Sequence, residues 1–135
     1  MNQKLNKNIE KTNAIKSYIN EIRDQIIDNQ ASKLFDDLKW IQLKDISPSK
    51  SDLFPIVITG KGEKIILIHG FDSCFLEYRR LAPFLKNNNK LIIPDLYGFG
   101  FCPRSSGNKY GFKYLMQHLN SVLNYFSKNR PIGII

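Results

Sequence analysis

The run Ile65-Ile66-Leu67-Ile68 limits most strongly what this chain can become. Four consecutive apolar residues, three of them β-branched, suit a strand covered on both faces, and the run stops at once in His69-Gly70. A second run, Lys90-Leu91-Ile92-Ile93, follows Asn87-Asn88-Asn89. Between the two, residues 75–86 carry Leu76, Leu81, Phe84 and Leu85 in helical order, and Pro83 kinks that helix or starts a second short one. A strand, a helix and a strand in this interval fit a right-handed parallel crossover.

The flanking sequence continues the alternation. Residues 111–128 place Leu115, Leu119, Val122 and Phe126 on one helical face, and His118 reads as a solvated residue off that face. Arg130-Pro131 breaks the helix, and Ile132-Gly133-Ile134-Ile135 begins a third buried strand. Upstream, Leu38, Trp40, Ile41 and Leu43 predict a strand near 39–44, and Phe54 to Thr59 predicts another. Ser47-Pro48-Ser49-Lys50-Ser51 between them reads as a loop, as does the Gly-, Ser- and Pro-rich stretch from Pro94 to about Lys109. Gly60-Lys61-Gly62-Glu63 predicts a tight connection of the hairpin type, its glycines permitting positive φ. Residues 5–30 predict an amphipathic helix with Ile15, Ile19, Ile22 and Ile26 on one face. The fold class is therefore α/β, with a mostly parallel sheet of about five strands, flanking helices and an N-terminal amphipathic helix. The expected boundaries are a helical extension over 1–37 and an α/β unit over 38–135.

The 135 residues allow about one domain. With 42% hydrophobic and 24% charged residues, the composition is that of a globular chain rather than a disordered one. The net charge of +8 raises the question of anionic partners. Lys4, Lys7, Lys11 and Lys16 are interleaved with Asn and Ile, and there is no Arg-rich run or RNA-binding signature, so nucleic acid is not expected. Cys74 and Cys102 match no metal-ligand spacing and no CxxC pattern, so they read as free thiols in a reducing compartment. No signal-like apolar segment and no stretch of membrane-spanning length occurs, so a cytoplasmic location is expected.

Two motifs stand at the ends of the buried runs. Ile65-Ile66-Leu67-Ile68-His69-Gly70-Phe71 resembles the third strand and oxyanion loop of the α/β-hydrolases, and Ile92-Ile93-Pro94-Asp95-Leu96-Tyr97-Gly98-Phe99-Gly100 resembles the fourth strand and D-x-x-G-x-G turn of the same family. Pro131 to Ile135 is similar to the fifth strand. The likeness spans residues 54–135 and leaves the N-terminal helix outside it. It implies a partial α/β-hydrolase fold, with 38–135 as the N-terminal part of the hydrolase domain.

The resemblance also implies site roles. Acyl transfer and hydrolysis need donors for a developing oxyanion, and the family supplies two backbone N–H groups. The first falls here on the N–H of Phe71, with Gly70 allowing close approach of the backbone. His69 supports the loop rather than acting as base, and Asp95, Gly98 and Gly100 shape the turn after the fourth strand. Asp72 and Ser73 are expected to cap the helix near residue 74. The family places a small hydroxyl residue where Cys102 stands, a departure that alters the turn's hydrogen bonding or leaves a reactive thiol.

No G-x-S-x-G pattern occurs in these residues. The nucleophile, triad acid and catalytic histidine are expected beyond Ile135, so the chain alone is expected to lack hydrolase activity. In the family's strand order the fifth strand is central, so the resemblance implies that here it forms an exposed apolar edge, making the isolated chain poorly soluble or only partly folded. One reading is a hydrolase acting on a small-molecule ester, epoxide, carbon–halogen or similar bond, without metal or cofactor, whose catalytic half lies outside this sequence. A second is a non-catalytic remnant serving as a binding or interaction module. A third is a split enzyme completed by another chain. The substrate and oligomeric state are not specified by these residues.

Overall fold

Alternation along the strands builds the sheet. On β2 (Leu53–Gly60), Phe54, Ile56 and Ile58 face one side and Val57 the other. On β4 (Asn89–Pro94), Ile92 faces the first side, and Leu91 and Ile93 the second. Residues two apart share a face, so both faces of these strands are apolar and both need cover.

The computed structural model describes residues 2–44, 53–104, 107–128 and 130–135. With β1 (Leu38–Gln42), β3 (Glu63–Ile66) and β5 (Gly133–Ile134), the strands form one sheet in the order β1-β2-β4-β3-β5. β3 lies parallel to β4 and β5, while β2 is antiparallel to both β1 and β4. Four strands thus share one direction and β2 opposes them.

Helices cover both faces. α4 (Phe112–Ser127) lays Val122 and Phe126 over Phe54, Ile56, Ile66 and Ile92. The other face is closed by α1 (Asn2–Arg23), α2 (Asn29–Asp36), a 3-10 helix (Phe75–Arg79) and α3 (Ala82–Leu85). From these, Ile19, Leu34, Phe35, Phe75 and Ala82 pack on Val57, Leu67, Leu91 and Ile93. Lys64 Nζ donates to the Phe126 carbonyl at 2.6 Å, satisfying an acceptor in the last turn of α4. Among the described residues, no helix is long and apolar enough to cross a membrane.

Several local expectations are corrected. The single helix over 5–30 is two helices, because the Asp28 carboxylate accepts from the N–H groups of Gln30 and Ala31 and starts α2 there. Ile26 still packs on the core, whereas Ile27 is 99% exposed in the connection. Gly60 to Glu63 is not a hairpin, since β4 lies between β2 and β3. The glycines do adopt positive φ, +78° and +125°, but for a different reason: the connection passes against the backbone entering β4. A Cβ at Gly60 would strike the Asn89 carbonyl, and one at Gly62 the Asn88 carbonyl. Residues 75–86 form the 3-10 helix and α3, with Pro83 in the first turn of α3, its restart reading. His118 is not solvated; it is fully buried, its ring 5.0 Å from that of Phe54. The predicted loop at 47–51 lies outside the described residues.

Candidate functional site

Parallel β3 and β4 end side by side, and the loops that leave them meet. His69 joins these loops. Its Nε2 accepts the Leu96 N–H at 2.9 Å, so the ring carries its proton on Nδ1, which donates to the Gly70 carbonyl at 2.8 Å. The ring is 2% exposed. Both nitrogens are committed to backbone groups, which suits a support for the loop and leaves neither free for proton transfer.

A trans peptide unit points its C=O and N–H in opposite directions. The Gly70 carbonyl belongs to the same peptide unit as the Phe71 N–H. Drawing that carbonyl inward to His69 turns the Phe71 N–H outward. Among the described residues no acceptor takes that N–H. Asp72, next in the chain, sits at φ +55°. The expectation that Asp72 and Ser73 cap a helix is therefore corrected: Cys74 is the N-cap and has no side-chain cap bond, and the Ser73 hydroxyl instead bonds Glu77.

The turn after β4 is organised by Asp95. Its fully buried carboxylate accepts the Phe75 N–H at 2.6 Å and the Phe101 N–H at 2.7 Å. Burial pushes its pKa up to about 6, against the two N–H groups, which favour the carboxylate. Gly98 and Gly100 adopt φ +86° and +53°. At Gly100 a Cβ would strike the Asp95 carboxylate, so the turn needs glycine there on two counts. Cys102 takes part in the turn's hydrogen bonding, its thiol donating to the Asp95 carbonyl at 3.2 Å. It is buried, and burial pushes the thiol pKa well up, so it is not a reactive thiol.

Phe71 borders a cleft of about 540 Å³. Phe71, Tyr97, Phe99, Tyr110, Phe112 and Leu115 line it, and among the described residues no charged side chain does. Phe71 is 91% exposed and meets Phe99 edge-on at 5.3 Å. Tyr97 stacks on Tyr110 at 5.5 Å. The structure thus brings His69, Gly70, Phe71, Asp95, Gly98 and Gly100 into one loop cluster.

Sequence reasoning missed four contributing residues. Glu77 accepts the Gly70 N–H at 2.9 Å. Arg104 donates to the Gly98 and Gly100 carbonyls, each at 3.2 Å. Tyr110 and Phe112 wall the cleft from the start of α4. The aromatic density of Phe99, Tyr110 and Phe112 was a visible signal; the two carbonyl-directed and amide-directed contacts left none, because they depend on loop conformation.

No family model matches the sequence. A 2-hydroxy-6-oxo-2,4-heptadienoate hydrolase from Pseudomonas putida is 31% identical over 74 residues, 53% of this chain and 27% of the relative. A cis-3-alkyl-4-alkyloxetan-2-one decarboxylase from Shewanella oneidensis is 31% identical over 78 residues, 56% of this chain and 24% of the relative. The chain thus spans about a quarter of the length of these curated relatives. Among solved structures, a meta-cleavage product hydrolase from Pseudomonas fluorescens superposes with a TM-score of 0.58 at 26% identity, over 70% of this chain and 34% of the other. A lipase-like protein from Acinetobacter baumannii superposes with a TM-score of 0.62 at 24% identity, over 89% and 36%.

Proposed function

Because the chain belongs to the α/β-hydrolase fold family, we propose that it supplies the oxyanion-loop half of a hydrolase site for a neutral carbonyl substrate. The observation that carries this reading is the Phe71 N–H, unbonded among the described residues and turned away from His69, on a residue that lines an apolar cleft. In this reading, Gly70 lets the substrate carbonyl approach and the Phe71 N–H donates to the oxyanion as it forms. His69 holds the donor's peptide plane, and Asp95 with Gly98 and Gly100 holds the neighbouring turn. The cleft takes the apolar part of the substrate, an aryl or acyl group, because burying a charge there without a partner would be costly. Residues 38–135 carry this half-site and residues 1–37 flank it. The two free cysteines suit a reducing, cytoplasmic setting.

A nucleophile, a base and a second oxyanion donor must join this half for turnover. One oxyanion donor is worth roughly 2.7–4 kcal/mol of transition-state stabilisation, which does not replace the chemistry of a nucleophile. The purified chain is therefore expected to leave p-nitrophenyl butyrate unhydrolysed above buffer rate, while the Phe71 amide resonance shifts saturably with a carboxylate-bearing aryl probe such as phenylacetate. Turnover abolished by a substitution within the chain, or a Phe71 amide indifferent to the probe, overturns the reading.

A further inference from the structure

The Glu77 carboxylate has no part in the proposed function above, yet it reaches the most consequential residue of the loop. It accepts the Gly70 N–H at 2.9 Å and also bonds the Ser73 hydroxyl. These bonds to the ionised form hold its pKa below the usual carboxylate range. Glu77 is exposed, but its platform is anchored. The 3-10 helix that carries it begins at fully buried Phe75, whose N–H is held by Asp95 at 2.6 Å. One residue past Glu77, the Tyr78 hydroxyl donates to the Ile68 carbonyl at 2.6 Å. The carboxylate thus projects from a short segment pinned on both sides of it.

Gly70 is consequently gripped at both ends: its N–H by Glu77 and its C=O by His69. A glycine gripped at one end only retains rotation about φ and ψ that other residues lack. The second grip removes that freedom immediately before the peptide unit bearing the Phe71 N–H. We propose that Glu77 is a positioning residue that fixes the aim of the Phe71 donor by holding the Gly70 N–H. The inference rests on the reading of Phe71 as an oxyanion donor, and it adds a residue on a separate element to that site.

The test uses the ¹⁵N-labelled 135-residue chain and phenylacetate, whose carboxylate oxygen serves as acceptor and whose ring suits the cleft. Glu77→Ala is expected to speed Gly70 amide exchange and weaken the phenylacetate response of Phe71, each by about tenfold, the scale of one hydrogen bond to a charged group. Exchange at Leu91 and Ile92, in the centre of β4, should not change. Glu77→Gln keeps an acceptor oxygen at full reach and should retain most of the response. Glu77→Asp keeps the charge but withdraws it by one methylene, and should lose the response as Ala does. A Glu77→Ala chain that binds at Phe71 like wild type overturns the assignment of Glu77 alone. Where Glu77→Ala also deprotects β4, the Asp and Gln variants decide, and equal responses from these two overturn the proposal. A wild-type Phe71 amide that ignores phenylacetate overturns the oxyanion reading, and this inference with it.

Discussion

His118 and Asp95 are both buried, and their titrations push stability in opposite directions. Burial drives the His118 pKa from 6.5 down to about 4, and neither ring nitrogen has a partner among the described residues. The unfolded chain therefore binds a proton that the folded chain refuses, and stability falls as pH drops from about 6.5 to about 4. Asp95 is raised from 3.8 to about 6, so the folded chain keeps a proton that the unfolded chain releases. Its contribution falls as pH rises from about 4 to about 6. The two slopes nearly cancel in wild type between these limits. His118→Leu is expected to unmask Asp95: unfolding free energies from urea titrations should then fall from pH 4 to pH 6 by about 1–3 kcal/mol, and the variant should exceed wild type at pH 4. A variant profile parallel to wild type would refute this account. Gly100→Ala, in contrast, combines a positive φ with a clash against Asp95 and is expected to cost more than about 2 kcal/mol in the same measurement at any pH. His118 also shows why burial was misjudged from the sequence. It is three residues after Leu115 and four before Val122, on the apolar stripe of α4 by spacing and off it only by polarity.

Strands and helices were legible where hydrophobic period and turn chemistry agreed. β2 and β4 were readable because their β-branched runs stop at Gly60 and at the Pro94-Asp95 turn. The Gly60-Gly62 connection was misread because positive φ is required both by a hairpin and by a chain passing close to other backbone, and only the pairing of β2 with β4 distinguishes them. Gly62→Ala is accordingly expected to destabilise the chain by driving a Cβ into the Asn88 carbonyl, where a hairpin would face no such obstacle. At the sheet edge, β5 pairs with β3 through Ile65 and Ile66, and Ile134 and Ile135 remain 54% and 58% exposed. Apolar edges recruit other strands. Replacing both isoleucines with lysine should lower self-association of the purified chain, read by light scattering at matched concentration. Unchanged scattering would place the sticky surface elsewhere.

At the scale of the molecule, two apolar clusters among the described residues sit on opposite faces of one sheet and share its strands. Phe54, Ile66 and Ile92 face α4, while Val57, Leu67 and Leu91 face α1, α2 and the 3-10 helix. Because β2, β3 and β4 belong to both, neither cluster can dissolve alone. Phe54→Ala removes a side chain that is 1% exposed and should cost about 3–5 kcal/mol. Trp40 packs on the opposite face, so its fluorescence should report the full loss in a single transition coincident with circular dichroism. Two separated transitions would show that the faces fold independently.

The sequence alone determined where the strands and α4 lie, because apolar period and terminating Gly, Pro and Asn residues are local properties, but not the break that separates α1 from α2. It also determined the two motif loops, through the resemblance carried by His69-Gly70-Phe71 and by Asp95 to Gly100. Tertiary structure alone decided the strand order that inserts β4 between β2 and β3, the burial of His118, and the grip of Glu77 and His69 on Gly70. Each of these depends on residues distant in the chain or on the conformation of a loop, and neither leaves a period in the sequence. The loop after β3 was thus legible as a motif, whereas the two hydrogen bonds that hold Gly70 within it are set only by the tertiary structure.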